Sequence, residues 1–332
     1  MVHIYRLLTS WSLALVLASY CHTHVSQTPH DLGDFQEFIR SKIKPLARER
    51  GITDETIARA FSENLNHDAR VIKLDQDQPE TRTAFRDYSE KRIHPRIHTA
   101  RRKSKRHRRV LNTVQSKYGV SKAFILALWG LESNFGTHMG NFDVIRSLAT
   151  LAYHGRRQVL FTNELIEALK ILQQGRHRIK SLKGSWAGAL GQCQFMPSAF
   201  NAHAVDSTNK GIKDIWTNPE DVFNSIANYL ANSGWKTGQP WGVEVVLPPN
   251  FSKKRHTNLN LEKKKSHWIK LGIKPKDSRK YLADLPGALI IPDHKERAFI
   301  VYNNFKVILK WNRSICFALT VCLFADEISQ KK

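Results

Sequence analysis

The run Phe124-Ile125-Leu126-Ala127-Leu128-Trp129, continued by Leu131, is apolar on every side of a helix, and a helix of that kind is buried inside its fold. A single acid, Glu132, follows it directly. Burial costs an ionised carboxylate several kcal/mol or more unless it is paired, so a buried Glu moves toward its neutral form. A neutral Glu at neutral pH is a general acid. The alternative ends the helix at Ser133-Asn134, takes Gly136 as its stop and turns Glu132 outward to solvent. This stretch by itself admits both.

A chain of 332 residues can bury a sizeable core, in one large domain or two small ones. Hydrophobic content of 41% and eight Trp place it among globular proteins. Lys+Arg 52 against Asp+Glu 29 gives +23, with a pI near 10.0. That charge calls for an anionic partner, and nucleic acid, anionic lipid and an acidic wall polymer all fit. The start, "MVHIYRLLTSWSLALVLASYC", narrows the choice. Arg6 precedes an apolar stretch from Leu7 to Ala18, which reads as a signal peptide over residues 1–21, too short to span a membrane. An exported chain is not expected to meet nucleic acid. Cys21 follows Leu17-Ala18-Ser19-Tyr20, similar to a lipoprotein box apart from the bulky Tyr20, which leaves membrane anchoring through Cys21 open. Four Cys (Cys21, Cys193, Cys316, Cys322) do not make a disulfide framework in a chain of this length, and none has zinc spacing. No metal or other cofactor is expected.

Residues 22–33 are polar and read as a linker. Residues 34–118 are patterned as a helical N-terminal region, with "TDETIARAFSEN" opened by Thr53 or Asp54 as a cap. Near its end, "RRKSKRHRRVLNTVQSKYG" is strongly basic, with Val110, Leu111 and Val114 as one apolar stripe. It is a solvated helix face or the electrostatic footprint for an anionic polymer. Residues 119–200 read as the catalytic core: the Glu132 helix, a second helix from about Arg157 to Gly175, and a Gly-rich turn. Residues 201–285 form a small insertion, turn-rich as far as Pro248-Pro249, then basic and irregular. Over 286–328, "GALIIP", "AFIVYNNF" and "KVILKW" read as short strands before a closing helix, "CFALTVCLFADEI". The expected class is mainly α (α+β).

The Gly-rich turn, "GSWAGALGQCQFMPSAF", interleaves Gly184, Gly188 and Gly191 with Ser185, Trp186, Gln192, Gln194 and Phe195. Glycines let backbone approach a ligand closely. Flat aromatic faces suit sugar rings, and neutral Gln and Ser suit hydroxyl and acetamido groups. A tight, packed loop would carry the same residues. It is no phosphate-binding loop, because the Gly-x4-Gly-Lys pattern is missing.

The strings "LWGLESNFGTHMGNFDVIRSLATLAYHGRR", "GSWAGALGQCQFMPSAF", "SIANYLANSGW" and "NNFKVILKWNRS", in that order, resemble the lytic transglycosylase B family, glycoside hydrolase family 103. The resemblance runs from about Asp34 to Ile328. It implies a lysozyme-like helical core, a monomer located in the periplasm, and peptidoglycan glycan strands as the partner. It also implies non-hydrolytic cleavage of the β-1,4 bond between N-acetylmuramic acid and N-acetylglucosamine. One acid suffices for that reaction, because the sugar's own 6-hydroxyl replaces the water that other glycosidases activate with a second carboxylate.

Glu132 matches the family's catalytic Glu. Ser185 and Gln194 match residues that line the cleft, and Asn312 matches a cleft Asn, although Trp311 stands where the family often has Tyr. Arg156 and Arg157 match an Arg pair suited to stem-peptide carboxylates. Phe195 and Tyr229 match aromatic subsite walls, as does Phe317, at a position often given to Tyr. In "AVDSTNKGIKDIW" the family's Asp-rich, EF-hand-like loop is degenerate: Thr208 and Lys210 replace acids, so a metal-free loop is expected. The peptidoglycan-binding domain that some relatives append at the C-terminus is expected to be absent. The competing functions are a hydrolytic muramidase, with Asp143 or Glu164 as the second carboxylate, and a non-catalytic cell-wall-binding protein.

Overall fold

The computed structural model describes residues 32–61, 65–77, 84–154, 157–175, 182–249, 251–293 and 297–330. The expected signal peptide (1–21), Cys21, nearly all of the linker and Arg156 lie outside them.

Helix α1 (Leu32–Phe38) passes through a π-helical turn (Ile39–Ile43) into α2 (Lys44–Glu49). Phe35, Ile39, Ile43 and Ala47 recur every four residues along it, and all are buried. Helix α3 (Asp54–Ala60) is capped by Thr53, whose side chain accepts from the Thr56 N–H. Helix α4 (Ala69–Gln76) is capped by Asp68. The basic run spans the end of α5 (Phe85–Arg106) and the start of α6 (Arg108–Tyr118), which Gly119 stops in the left-handed region at φ 68°.

Helix α7 (Lys122–Ser133) is the apolar run, and every residue from Ala123 to Ser133 is buried. It is wrapped by α5, α6, α11 (Pro219–Asn232) and α15 (Ile315–Ser329). Beside it, α8 (Val144–His154) packs on α9 (Gln158–Gln173), which carries α10 (Pro197–His203). A two-residue ribbon, β1 (Phe142–Asp143) with β2 (Lys183–Gly184), ties the segment after Glu132 to the Gly-rich turn. Helices from both sides of position 118 share one apolar cluster, running from Phe35 to Ala325.

A second, smaller cluster forms around a sheet ordered β4-β3-β6-β5, with strands β3 (Gly242–Val246), β4 (Lys274–Pro275), β5 (Ala288–Ile290) and β6 (Ala298–Val301). Alternation divides this sheet between two cores. Ala288, Ile290, Phe299 and Val301 face the large cluster, while Val243, Val245, Leu289 and Ile300 join Trp268, on the short helix α13 (Lys265–Lys270) that follows α12 (Lys253–His256), in the small one. Burial on both faces is why "GALIIP" and "AFIV" read as unbroken apolar runs.

Two expectations fail. "KVILKW" is not a strand but part of α14 (Asn303–Trp311), in which Phe305 and Ile308 fall three residues apart on the buried side. The turn-rich reading of 201–250 missed α11, which Asn218 caps, Pro219 opens and Glu220 and Asp221 support at its positive end. Among the described residues no single helix is long and apolar enough to cross a membrane.

Candidate active site

Glu132 occupies the last turn of α7 and is only 5% exposed. The solvent-facing alternative is therefore excluded. Burial pushes its pKa from 4.5 up to about 8, against the lesser, opposing effect of a hydrogen bond from Trp311. That bond runs from the indole Nε1 to Oε1 at 2.8 Å. An indole N–H only donates, so in the neutral acid it pairs with the carbonyl oxygen and leaves the proton on Oε2.

The chain beyond Glu132 turns sharply. Asn134 and Phe135 are left-handed non-glycine residues, at φ 49° and 59°, and Gly136 follows at φ 85°. The Ser133 hydroxyl accepts from the Gly136 N–H at 3.0 Å and holds the turn. Three residues before the acid, Trp129 Nε1 donates to Gln192 Oε1 at 2.7 Å, and Gln192 Nε2 donates to the Trp216 carbonyl at 2.7 Å. Gln192, read from the sequence as a ligand for sugar, is thus spent on fastening the Gly-rich turn to α7.

Gln194 sits at φ 50° and its Nε2 donates to the carbonyls of Met139 and Gly191, at 3.1 and 2.8 Å. A non-glycine residue held in that region is strained, and such strain gathers at functional sites. Ser185 Oγ accepts from the Ala189 N–H at 3.0 Å. The close approach the glycines permit is real: a Cβ on Gly184 would stand 2.1 Å from the Ala189 carbonyl oxygen.

An aromatic wall stands beside the acid. The Trp311 ring lies 5.1 Å from that of Phe195 and 4.8 Å from that of Tyr229, whose hydroxyl donates to the Lys310 carbonyl at 2.7 Å. Asn312 is buried where α14 turns into α15, and its Oδ1 accepts from the Ser314 N–H. Phe317 departs from expectation. It is fully buried within α15, a phenyl ring with no polar end to keep at a surface, and so belongs to the core rather than to a cleft wall. Arg157 Nη2 is 3.1 Å from Asp75 Oδ1, which ties the start of α9 to α4. Its expected partner in substrate binding, Arg156, lies outside the described residues.

Tyr88 is a neighbour of the acid that the sequence did not single out. Buried on α5, its hydroxyl has no hydrogen-bond partner among the described residues. Burial pushes its pKa up to about 12, and Glu132 is among the charges that act on it. The only signal in the sequence was its place on the apolar stripe of α5.

The two candidate second carboxylates are engaged elsewhere. Asp143 Oδ1 accepts from the Arg146 N–H at the start of α8. Glu164 accepts from the Ser198 N–H and Oγ, at 2.9 and 2.7 Å, at the start of α10. In the degenerate loop, Asp206 accepts from the N–H groups of Thr208 and Gly211 and Asp214 from those of Trp216 and Thr217, while Asp221 on α11 accepts from those of Ser207 and Asp214. These carboxylates are turned to backbone N–H groups, Lys210 adds a positive charge, and the donor set fits a calcium ion poorly. Cys193, Cys316 and Cys322 are free thiols.

A buried acid thus closes α7, which Trp129 fastens to the Gly-rich turn, and aromatic rings stand beside it. Residues 34–326 match the family described as Transglycosylase SLT domain, and the chain belongs to that family. Membrane-bound lytic murein transglycosylase B of Escherichia coli (strain K12) is 37% identical over 134 residues, or 40% of this chain. That match spans 37% of the relative's own length. The chain is also similar to SltB3 from Pseudomonas aeruginosa in complex with NAG-NAM-pentapeptide. The TM-score is 0.82 and the identity 40%, covering 89% of this chain and 80% of that one. SltB1 from the same organism follows with a TM-score of 0.76 and 26% identity, covering 90% and 98%. The fold is thus mainly helical and of the lysozyme-like lytic transglycosylase type.

Proposed function

We propose that this protein is a peptidoglycan lytic transglycosylase that uses Glu132 as its single acid and base. The observation that carries the reading is the burial of Glu132 at the end of α7, its pKa pushed up to about 8, beside the Trp311 indole that bonds it, while Asp143 and Glu164 hold the starts of α8 and α10. The glycan-bound state of the similar SltB3 supports the choice of polymer.

At neutral pH the Glu132 carboxyl is mostly protonated. It gives its proton to the glycosidic oxygen as the bond from that oxygen to C1 of N-acetylmuramic acid breaks. The positive charge at C1 is relieved by the neighbouring acetamido group, as in substrate-assisted hydrolases. The 6-hydroxyl of the same sugar then attacks C1, and the Glu132 carboxylate takes the proton that this hydroxyl loses. One C–O bond breaks, one forms, the acid is restored, and no water is consumed.

Tyr229 and Trp311, backed by the buried ring of Phe195, supply the face on which a sugar ring rests. Ser185, Gln194 and Asn312 border it with neutral polar groups, and the reading assigns the stem-peptide carboxylates to the sequence pair Arg156 and Arg157. The reading also puts the chain in the periplasm, with Cys21 as the point at which a lipid would tether it. The membrane-bound relative supports that placement. Mass spectrometry of products from purified peptidoglycan tests the reaction: anhydro ends, one water lighter than reducing ends, are expected. Reducing ends would make the protein a hydrolytic muramidase, and no products at all a wall-binding protein.

A further inference from the structure

Helix α5 turns Lys91, His94, His98, Arg102 and Lys105 to solvent. They are three or four residues apart, so they form a single file along one face. From 91 to 105, at 1.5 Å per residue, the file is about 21 Å long. Arg106, at the end of α5, is exposed too, and beyond the break at His107 the exposed Arg108 and Arg109 continue the charge onto α6. The opposite face of α5, with Tyr88, Ile93 and Ala100, is buried against α7 and α15. The file therefore lies on the outside of the fold, away from the acid.

This charge is not balanced from within. The only carboxylates in α5 and α6 are Asp87 and Glu90, both near the start of α5. Arg102, Lys105, Arg106, Arg108 and Arg109 have no carboxylate within 4.0 Å among the described residues. Elsewhere the same molecule pairs its cations, as Arg297 and Lys276 pair with Glu244. Two half-buried members of the run register the crowding. Lys103 and His107 are held below their usual pKa, first by burial and then by the neighbouring cations, Arg106 among them in both cases.

Like charges at this spacing destabilise a helix unless an outside anion answers them. A small anion needs donors that converge on a pocket. A row of cations, Lys91 and then Arg102, Lys105, Arg106, Arg108 and Arg109, instead suits a chain that carries anions at intervals. We propose that the basic file of α5 and the start of α6 is a second murein-binding surface. It engages the stem-peptide carboxylates of a glycan strand outside the cleft, while Glu132 acts within it. This rests on the function proposed above, which supplies the polymer.

The test replaces Arg102, Lys105, Arg106, Arg108 and Arg109 with Gln. Binding to insoluble sacculi is measured in a Glu132→Gln background, so that nothing is digested, and cleavage of a short soluble muropeptide in the active background. At low ionic strength the five replacements should weaken sacculus binding about tenfold and leave muropeptide kcat/KM within about twofold. Sacculi with amidated carboxyl groups should release the parent protein to the same extent. Unchanged sacculus binding, or binding indifferent to amidation, overturns the proposal. So does loss of binding to phosphatidylglycerol vesicles with sacculus binding intact, which would make the surface a membrane contact. A thermal melt checks the fold, and the pair Arg102→Gln and Arg106→Gln serves if the fivefold variant does not fold. If the active protein releases no anhydro product, the functional reading fails by itself, and the binding measurement still decides this one.

Discussion

Two influences meet on Glu132: burial, which raises its pKa, and the Trp311 indole, which lowers it. The first prevails. Glu132→Gln removes the proton that both half-reactions need, so turnover should fall by more than the roughly 10²–10⁴-fold usual for acid–base groups. A variant that folds normally and keeps a tenth of the activity would place the chemistry elsewhere. Because the acid must be protonated to act, kcat/KM should decline as pH rises through about 8. Trp311→Phe removes the bond that favours the carboxylate, so that limb should move to higher pH, with a loss in kcat of about tenfold. Trp311→Tyr, which keeps a donor, should restore much of both. A pH–rate profile of the three proteins decides this. Stability follows the same sign. With a folded pKa above the unfolded value, the stabilising protonation is fully present below about pH 4.5 and lost as pH rises through about 8. Glu132→Gln should thus raise the melting temperature at pH 9 more than at pH 5. In the sequence the acid was legible because it closes an apolar run. Its partner was not, since Trp311 is 179 residues away and no local pattern couples them.

At the scale of elements, legibility followed length. "CFALTVCLFADEI" is long enough to declare a helix, and α15 covers it. "KVILKW" has six residues, too few to separate a period of two from one of 3.6, and its β-branched residues pointed to a strand. What settles it as α14 is tertiary: Asn304 accepts from the Lys236 N–H and donates to the carbonyls of Lys236 and Gln239, fixing the helix start against a distant loop. The Gly-rich turn was legible as a close approach of backbones, and it carries its own prediction. Gly184→Ala forces a methyl to within 2.1 Å of the Ala189 oxygen, so it should cost about 2 kcal/mol or more of stability in a thermal or urea melt. Activity should fall with it, because the same turn presents Ser185 and Gln194. In the degenerate loop, millimolar Ca²⁺ should leave the melting temperature unchanged, since Lys210 brings a positive charge and Asp206 and Asp214 hold backbone N–H groups. A clear upward shift on adding Ca²⁺ would contradict this.

For the whole molecule, the sequence conveyed a helical body with a β-containing end, but not how the two are joined. Alternation along β5 and β6 is invisible when both faces are apolar, and only the register of Ala288 with Val301 and Ile290 with Phe299 shows which residues face which core. Large-to-small changes should report on that junction. Phe299→Ala, on the large-core face, should cost about 3–5 kcal/mol, and Ile300→Ala, on the other, about 2–5 kcal/mol, both read from the shift of a denaturation midpoint. The sheet is a wall common to two rooms, and neither room can be opened while the other stays closed. The indole N–H resonance of Trp268, sensing the small room, and far-ultraviolet dichroism, dominated by helices of the large one, should therefore trace a single cooperative transition. Amide protons of Leu289 and Ile300 should exchange with solvent no faster than those buried in α7, so the smallest part of the protein is as long-lived as its centre.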